Sequence, residues 1–184
     1  VLMIERWDGS QPGWVPGPVF EKAPDNDDFL SENLADAIID NVNNRGMGFL
    51  SIHCMIATAF NRQKLIDFLG VKGVIHGPLQ PVRVHNFNQN HPITKGMNDF
   101  DLGLDENFGA EVYRKDVTPL FETTGHWDKR HDYGGWCIEQ GKGLVAGLTG
   151  GHTYFAYRDP NYLKLFWRSI QWVSKRKITP YMQG

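Results

Sequence analysis

The stretch GMGFLSIHCMIATAF, residues 46–60, decides how the rest of the chain is read. An apolar run over 47–52 stops abruptly at His53 and Cys54, and small and apolar residues follow. Many α/β enzymes present a nucleophile this way, on a sharp elbow between a buried strand and a helix. Either His53 or Cys54 is then the residue on display.

The flanking sequence supports an α/β reading. Residues 1–4 have the composition of a short buried strand, and the Gly/Pro-rich DGSQPGWVPGP at 8–18 cannot be regular structure. A loop of that length is often a binding loop or lid. Ser31 or Asp28 can cap a helix running to about Asn44, with Leu30, Leu34, Ala37, Ile38 and Val42 at helical spacing and Arg45-Gly46 as its stop. Strand, helix, strand in that order argues for a parallel sheet. Residues 55–68 read as one further helix, with Ile56, Phe60, Leu65 and Leu69 apolar and Gly70 as the stop.

Residues 71–100 are strand-and-turn material, in which Val82 and Val84 alternate with Arg83 and His85. EVYRKDVTPLFETTGHW (111–127) supplies one or two more strands, and the polar GHWDKRHDYGG (125–135) reads as a loop. GLVAGLT (143–149) is a short apolar strand running into GGHTYF. From 162 to 175 the stripe Leu163, Phe166, Trp167, Ile170 and Val173 predicts an amphipathic helix packed on the sheet.

The bulk properties narrow the class. With 184 residues, 41% of them hydrophobic, the chain (1–184) suits one domain with a real core. A net charge of −2 and a pI near 6.4 give no general pull toward nucleic acid. SKRK at 174–177 suits a solvated helix end. Two cysteines build no disulfide framework, and there is neither a membrane-length apolar run nor a secretory signal, so a cytoplasmic protein is expected. The first residues already lie in a strand-like run without an initiator Met, and 6 Trp and 11 Phe are many rings for few strands. Further elements before Val1, or a partner copy or segment completing the sheet, are therefore expected.

In an open parallel sheet, ligands bind beyond the carboxyl ends of the strands. Two strands end in histidine, at His53 and, after Gly150-Gly151, at His152. Both precede helix-forming sequence, which places both rings on one edge of the sheet.

These pieces resemble the ThuA-like (trehalose utilisation) family, whose fold is that of the class I glutamine amidotransferases. The matching segments are GMGFLSIH (46–53), LGVKGVIHG (69–77), NHPITKGM (90–97) and LDENF (104–108). GKGLVAGLTGGHTY (141–154) and FWRSIQWV (166–173) follow in order. The resemblance implies a flavodoxin-like, mostly parallel sheet flanked by helices. It also implies that the chain lacks the family's first strand–helix–strand, so that Val1 corresponds to the third strand.

Amidotransferases of this fold carry a nucleophilic Cys at the elbow, with a later His and carboxylate. Here His53 holds the elbow, His152 matches the later His, and Tyr154 stands where the carboxylate would be, so glutamine hydrolysis is not expected. Cys54, one residue beyond the elbow, and Cys137 read as buried thiols. What remains is a polar pocket. His53, Glu106 and His152 are the candidate acid–base residues, since a carboxylate facing imidazoles orients and charges them. His76, His91, Asp105, His126, Trp127 and Tyr154 are candidate substrate contacts. Asp105 alternatively braces its loop, and His91 before Pro92 alternatively shapes a turn. His126, His131, Trp127, Tyr133, Trp7 and Trp14 can cover a sugar or be ordinary loop residues.

No cofactor is required by the sequence. A divalent metal is possible, with His53, His76 and His152 as ligands. The resemblance implies a role in carbohydrate metabolism, on a sugar or keto-sugar, and leaves room for a partner sugar oxidoreductase. The alternative is a non-catalytic sugar-binding or interaction module. Neither nucleic acid nor membrane is expected as a partner.

Overall fold

A computed structural model describes residues 1–4, 30–58 and 62–180. The 8–18 loop, Trp7, Trp14 and Asp28 lie outside these residues. The elements are β1 (Leu2–Ile4), α1 (Glu32–Arg45), β2 (Phe49–Ile52), α2 (Met55–Thr58), α3 (Gln63–Leu69), β3 (Val71–His85), β4 (Phe100–Val112), β5 (Thr118–Gly125), β6 (His131–Gln140), β7 (Gly143–Leu148) and α4 (Pro160–Val173). A short 3₁₀ turn, Ala156–Arg158, precedes α4.

Local chemistry sets these boundaries. Ser31 caps α1 by accepting from the Leu34 N–H, and Gly46 closes the helix in the left-handed conformation at φ 76°. Asp159 caps α4 through the N–H groups of Asn161 and Tyr162, with Pro160 in the first turn, where its missing N–H costs nothing. The expected helix over 55–68 is instead two, α2 and α3.

The strands form one sheet in the order β1-β2-β7-β6-β5-β3-β4. β1–β2 and β2–β7 pair in parallel, while β7–β6, β6–β5, β5–β3 and β3–β4 pair antiparallel. The sheet is thus mixed, which corrects the mostly parallel one expected. The reason lies in the connections: a parallel return needs a crossover of about a dozen residues. Helix α1 supplies one between β1 and β2, whereas β6 and β7 are joined only by Gly141-Lys142. The expected loop at 125–135 is also shorter, because β6 begins at His131.

The core lies on both faces. On one, α1 and α3 cover Phe49, Val145, Trp136 and Ile138. On the other, Leu165 and Val173 of α4 pack on Leu50, Ile52, Ala146 and Leu148. All of β2 is buried, as expected of a strand covered on both faces.

The feature that shapes the functional end is the β3–β4 hairpin. Its register breaks between Gly73 and His76, between His76 and Leu79, and between Pro81 and Val82. Such irregularities bend and twist a strand pair. The bend carries β4, the far edge of the sheet, back to the turn after β7, where Asp105 bonds Gly151 and His152.

Close packing leaves no room for a side chain where β7 crosses Trp136. A Cβ on Gly147 would stand 2.1–2.4 Å from three atoms of that ring. Trp136 is fully buried and its indole N–H donates to the Leu69 carbonyl at 3.1 Å. Overpacking of this kind costs about 1–3 kcal/mol. Gly147→Ala is therefore expected to lower the unfolding free energy by about that amount, read as a lower urea midpoint at unchanged slope.

Candidate functional site

Strand β2 ends at Ile52, and His53 turns the chain sharply with φ 41°, a left-handed conformation rare outside glycine. Its N–H donates to the Leu148 carbonyl at the end of β7, which locks the turn to the neighbouring strand. The ring is 1% exposed. Its Nδ1 lies 2.8 Å from the Thr149 carbonyl, while Nε2 lies 3.1 Å from His152 Nδ1 and 3.4 Å from Glu106 Oε2. His152 Nδ1 is in turn 3.1 Å from the same carboxylate oxygen. Three donor atoms from β2, β4 and β7 thus meet within one small triangle, with His152 as its more exposed corner.

His76 completes the surroundings of Glu106. Its Nδ1 lies 3.5 Å from Glu106 Oε1 and 2.9 Å from the Gly77 carbonyl. Phe108, two residues after Glu106 on β4, stacks on the His76 ring and meets His53 edge-on. Phe108 ends the LDENF segment but was not among the candidate site residues, although its i+2 spacing from Glu106 on a strand is a usable signal. The Thr149 carbonyl gave no side-chain signal at all.

The charges follow from this geometry. Burial works against a protonated His53, but hydrogen bonds to Cys54 and Glu106 and the Thr149 carbonyl outweigh it and raise the ring to about 10. Cys54, expected to be a buried thiol, is only half-buried. Burial likewise opposes ionisation of Glu106, yet the His53 hydrogen bond and the His76 and His152 rings hold its carboxyl below the ordinary value.

Asp105 is placed differently from the substrate contact expected of it. It is fully buried and accepts from the N–H groups of Gly151 and His152, each at 2.8 Å, and from Glu106 N–H at 2.9 Å. Burial pushes its carboxyl up, with the Gly151 N–H pulling hardest the other way. It braces the turn, which was the alternative reading.

His91 also lies elsewhere. Its ring sits 3.4 Å from Cys137 Sγ, meets Trp172 edge-on and accepts from Ile93 N–H, and burial lowers its pKa. The HP motif shapes the turn at 88–94 rather than the pocket. Burial and nearby Glu139 raise the Cys137 thiol to about 12, in keeping with a core residue.

His126 pairs with Asp101 at 3.3 Å, and Trp127 is an exposed ring whose backbone N–H is held by Gln80. Tyr154, two residues after His152, is exposed and stacks on Phe155. For the expected metal set of three histidines, the structure substitutes Glu106 for His76.

The ThuA family profile, described as trehalose utilisation, matches residues 19–173. The chain belongs to the ThuA family. Solved structures agree in fold. A ThuA-like protein from Parabacteroides merdae superposes at TM-score 0.68 with 14% identity, over 82% of this chain and 68% of that one. Another, from Bacteroides uniformis, gives TM-score 0.61 and 21% identity over 78% of this chain, which spans 64% of that protein's length. A β-galactosidase from Bacillus circulans sp. alkalophilus matches at TM-score 0.58 and 10% identity, over 79% of this chain but 21% of its own. No curated protein matches the sequence. Among the described residues of this ThuA family member, no helix is long and apolar enough to cross a membrane.

The His53–Glu106 pair has a defined pH signature. A histidine raised from 6.5 to about 10 stabilises the fold fully below 6.5, and this contribution fades as pH rises toward 10. Glu106, held below 4.5, contributes above that value and loses its contribution as pH falls through its lowered folded value. The stability gap between the metal-free chain and its Glu106→Gln variant is thus expected to be wider near pH ~6 than near pH ~9. Urea unfolding at both pH values checks this, and a 15N-labelled His53 ring should titrate lower in the variant.

Proposed function

We propose that this protein is an enzyme of carbohydrate metabolism that acts on a sugar or keto-sugar through His53, Glu106 and His152. The observation that carries the reading is the convergence of these three groups, from three strands, around a single carboxylate oxygen. Family membership supplies the carbohydrate context.

The division of labour follows from burial. His152, the more exposed ring, gives or takes the proton at a substrate hydroxyl or at the carbon beside a keto group. Glu106 orients His152 and balances its charge. His53, held charged and out of water, stabilises negative charge as it develops on the substrate. Exposed Tyr154 and Trp127 offer apolar ring faces against which a sugar can stack.

The same three atoms suit a divalent first-row ion. Their separations of 3.1–3.4 Å match the edge of roughly 3.3 Å that a tetrahedral site with 2.0–2.1 Å bonds requires. The Thr149 carbonyl would then fix the His53 tautomer by accepting from Nδ1–H, leaving Nε2 as the ligand atom. A bound ion would supply Lewis-acid polarisation of a substrate oxygen.

A non-catalytic sugar-binding module is the second reading. It is favoured by the recurrence of this fold over only 21% of a β-galactosidase chain.

The test is turnover of keto-disaccharides, generated with a sugar oxidoreductase, by the wild-type chain and by His152→Ala and Glu106→Gln. Loss of one acid–base group is expected to lower kcat by about 10²–10⁴-fold. Full turnover in folded variants would sink the catalytic assignment, and calorimetric sugar binding without any product would establish the second reading.

A further inference from the structure

A second histidine–carboxylate cluster lies away from the first, on the antiparallel half of the sheet. His85 closes β3, Glu122 stands directly opposite it on β5, and His131 opens β6 opposite Thr124. Residues 122 and 124 share one face of β5, so the pairing register brings all three side chains to that face. His131 Nε2 lies 2.9 Å from Glu122 Oε2, His85 Nδ1 lies 3.9 Å from the same oxygen, and the two rings meet edge-on.

The far side of each ring is also held. Thr124 Oγ1 lies 2.8 Å from His85 Nε2 and 3.4 Å from His131 Nδ1. One hydroxyl thus faces the outer nitrogens of both rings while their inner nitrogens face the carboxylate. This is the arrangement by which groups behind metal-binding histidines fix ring orientation and tautomer. Asn86, in the left-handed conformation at φ 53°, donates its side-chain amide to the same Oε2 of Glu122 and so fixes the carboxylate's position. The neighbouring cation, Arg83, is paired with Asp99 and Asp101.

We propose that His85, Glu122 and His131 form a binding site for a divalent first-row metal ion of the Zn²⁺ class, distinct from the His53 cluster. The ligand atoms are His85 Nδ1, Glu122 Oε2 and His131 Nε2. Their separations from the shared oxygen, 2.9 and 3.9 Å, bracket the roughly 3.3 Å edge of a tetrahedral zinc site. Two imidazoles and one carboxylate are a ligand set that zinc favours. The half-exposed His131 leaves a coordination position open to water or to a small anionic ligand. A bound ion would also tie β3, β5 and β6 together at the C-terminal end of β3.

The experiment titrates the metal-free full chain with Zn²⁺ against a chromophoric chelator, beside His131→Ala, Thr124→Val and Glu106→Gln. His131→Ala is expected to bind one zinc equivalent fewer than the wild type, and Glu106→Gln to keep that equivalent. Thr124→Val retains the ligands but releases the rings, and is expected to weaken this equivalent by about 10–100-fold. Co²⁺ substitution gives a spectroscopic check, since the tetrahedral visible band should lose the contribution that His131→Ala removes. Identical zinc stoichiometry and affinity in the wild type and His131→Ala would overturn the site. The comparison does not depend on whether the His53 cluster binds metal.

Discussion

The functional end of this molecule depends on one buried carboxylate. Asp105 accepts three backbone N–H groups, from Glu106 on its own strand and from Gly151 and His152 after β7. Those two N–H groups belong to a turn that leaves the sheet sharply, with Gly151 at φ 121°, and has no strand partner of its own. Left unpaired in the interior, each would cost about 1–3 kcal/mol. The bond network binds the edge strand β4 to the turn after β7, among the parallel strands at the other end of the sheet, which bends the sheet back on itself. It also sets the spacing of the site, because Glu106 and His152 are each adjacent to an atom that Asp105 holds.

The second constraint is the elbow. His53 is forced into a left-handed backbone conformation that non-glycine residues hold only when their surroundings over-determine it. Here the surroundings are bonds at both ends of the residue. The backbone N–H goes to Leu148, and the ring reaches the Thr149 carbonyl, Glu106 and His152. In an interior of low dielectric, a ring with that many acceptors is held charged, and Glu106 among three imidazoles is held ionised. Position and charge at the site therefore have a common origin in the meeting of β2, β7 and β4.

What sequence could and could not reveal follows the range of the interactions. The ends of α1 were legible because caps act over three or four residues, as at Ser31 and Gly46. His53 and His152 were legible as neighbours because both follow parallel strands, and that alone puts them at one edge. The antiparallel half of the sheet was harder, since single Gly-containing stretches gave no sign of which strands they joined. Glu106 was legible as a candidate pocket carboxylate, but the reach of β4 across the sheet comes from three register breaks that no local pattern encodes. Asp105 and Glu106 are adjacent on one strand and face opposite ways, so Asp105 meets the turn after β7 while Glu106 meets the histidine rings. His91 misled for a similar reason: an HP turn with a polar ring looks the same in sequence whether the ring meets a ligand or Trp172.

The two His–Glu–His clusters show how one set of residue types acquires different properties from its backbone. At the first, the ligand atoms come from strand ends and a braced turn, and two of the three side chains are withdrawn from water. Displacing them means distorting the elbow or breaking the Asp105 network, so the geometry is preorganised. At the second, the residues stand on antiparallel strands, and their spacing is that of a directly opposed pair and its diagonal neighbour. There the rings are steered by a side-chain hydroxyl, Thr124, rather than by main-chain carbonyls. The first triangle is the more withdrawn from water, with side-chain exposures of 1%, 14% and 39% against 15%, 26% and 53% in the second. The bent hairpin links them, because β3 carries His76 beside the first cluster and His85 in the second.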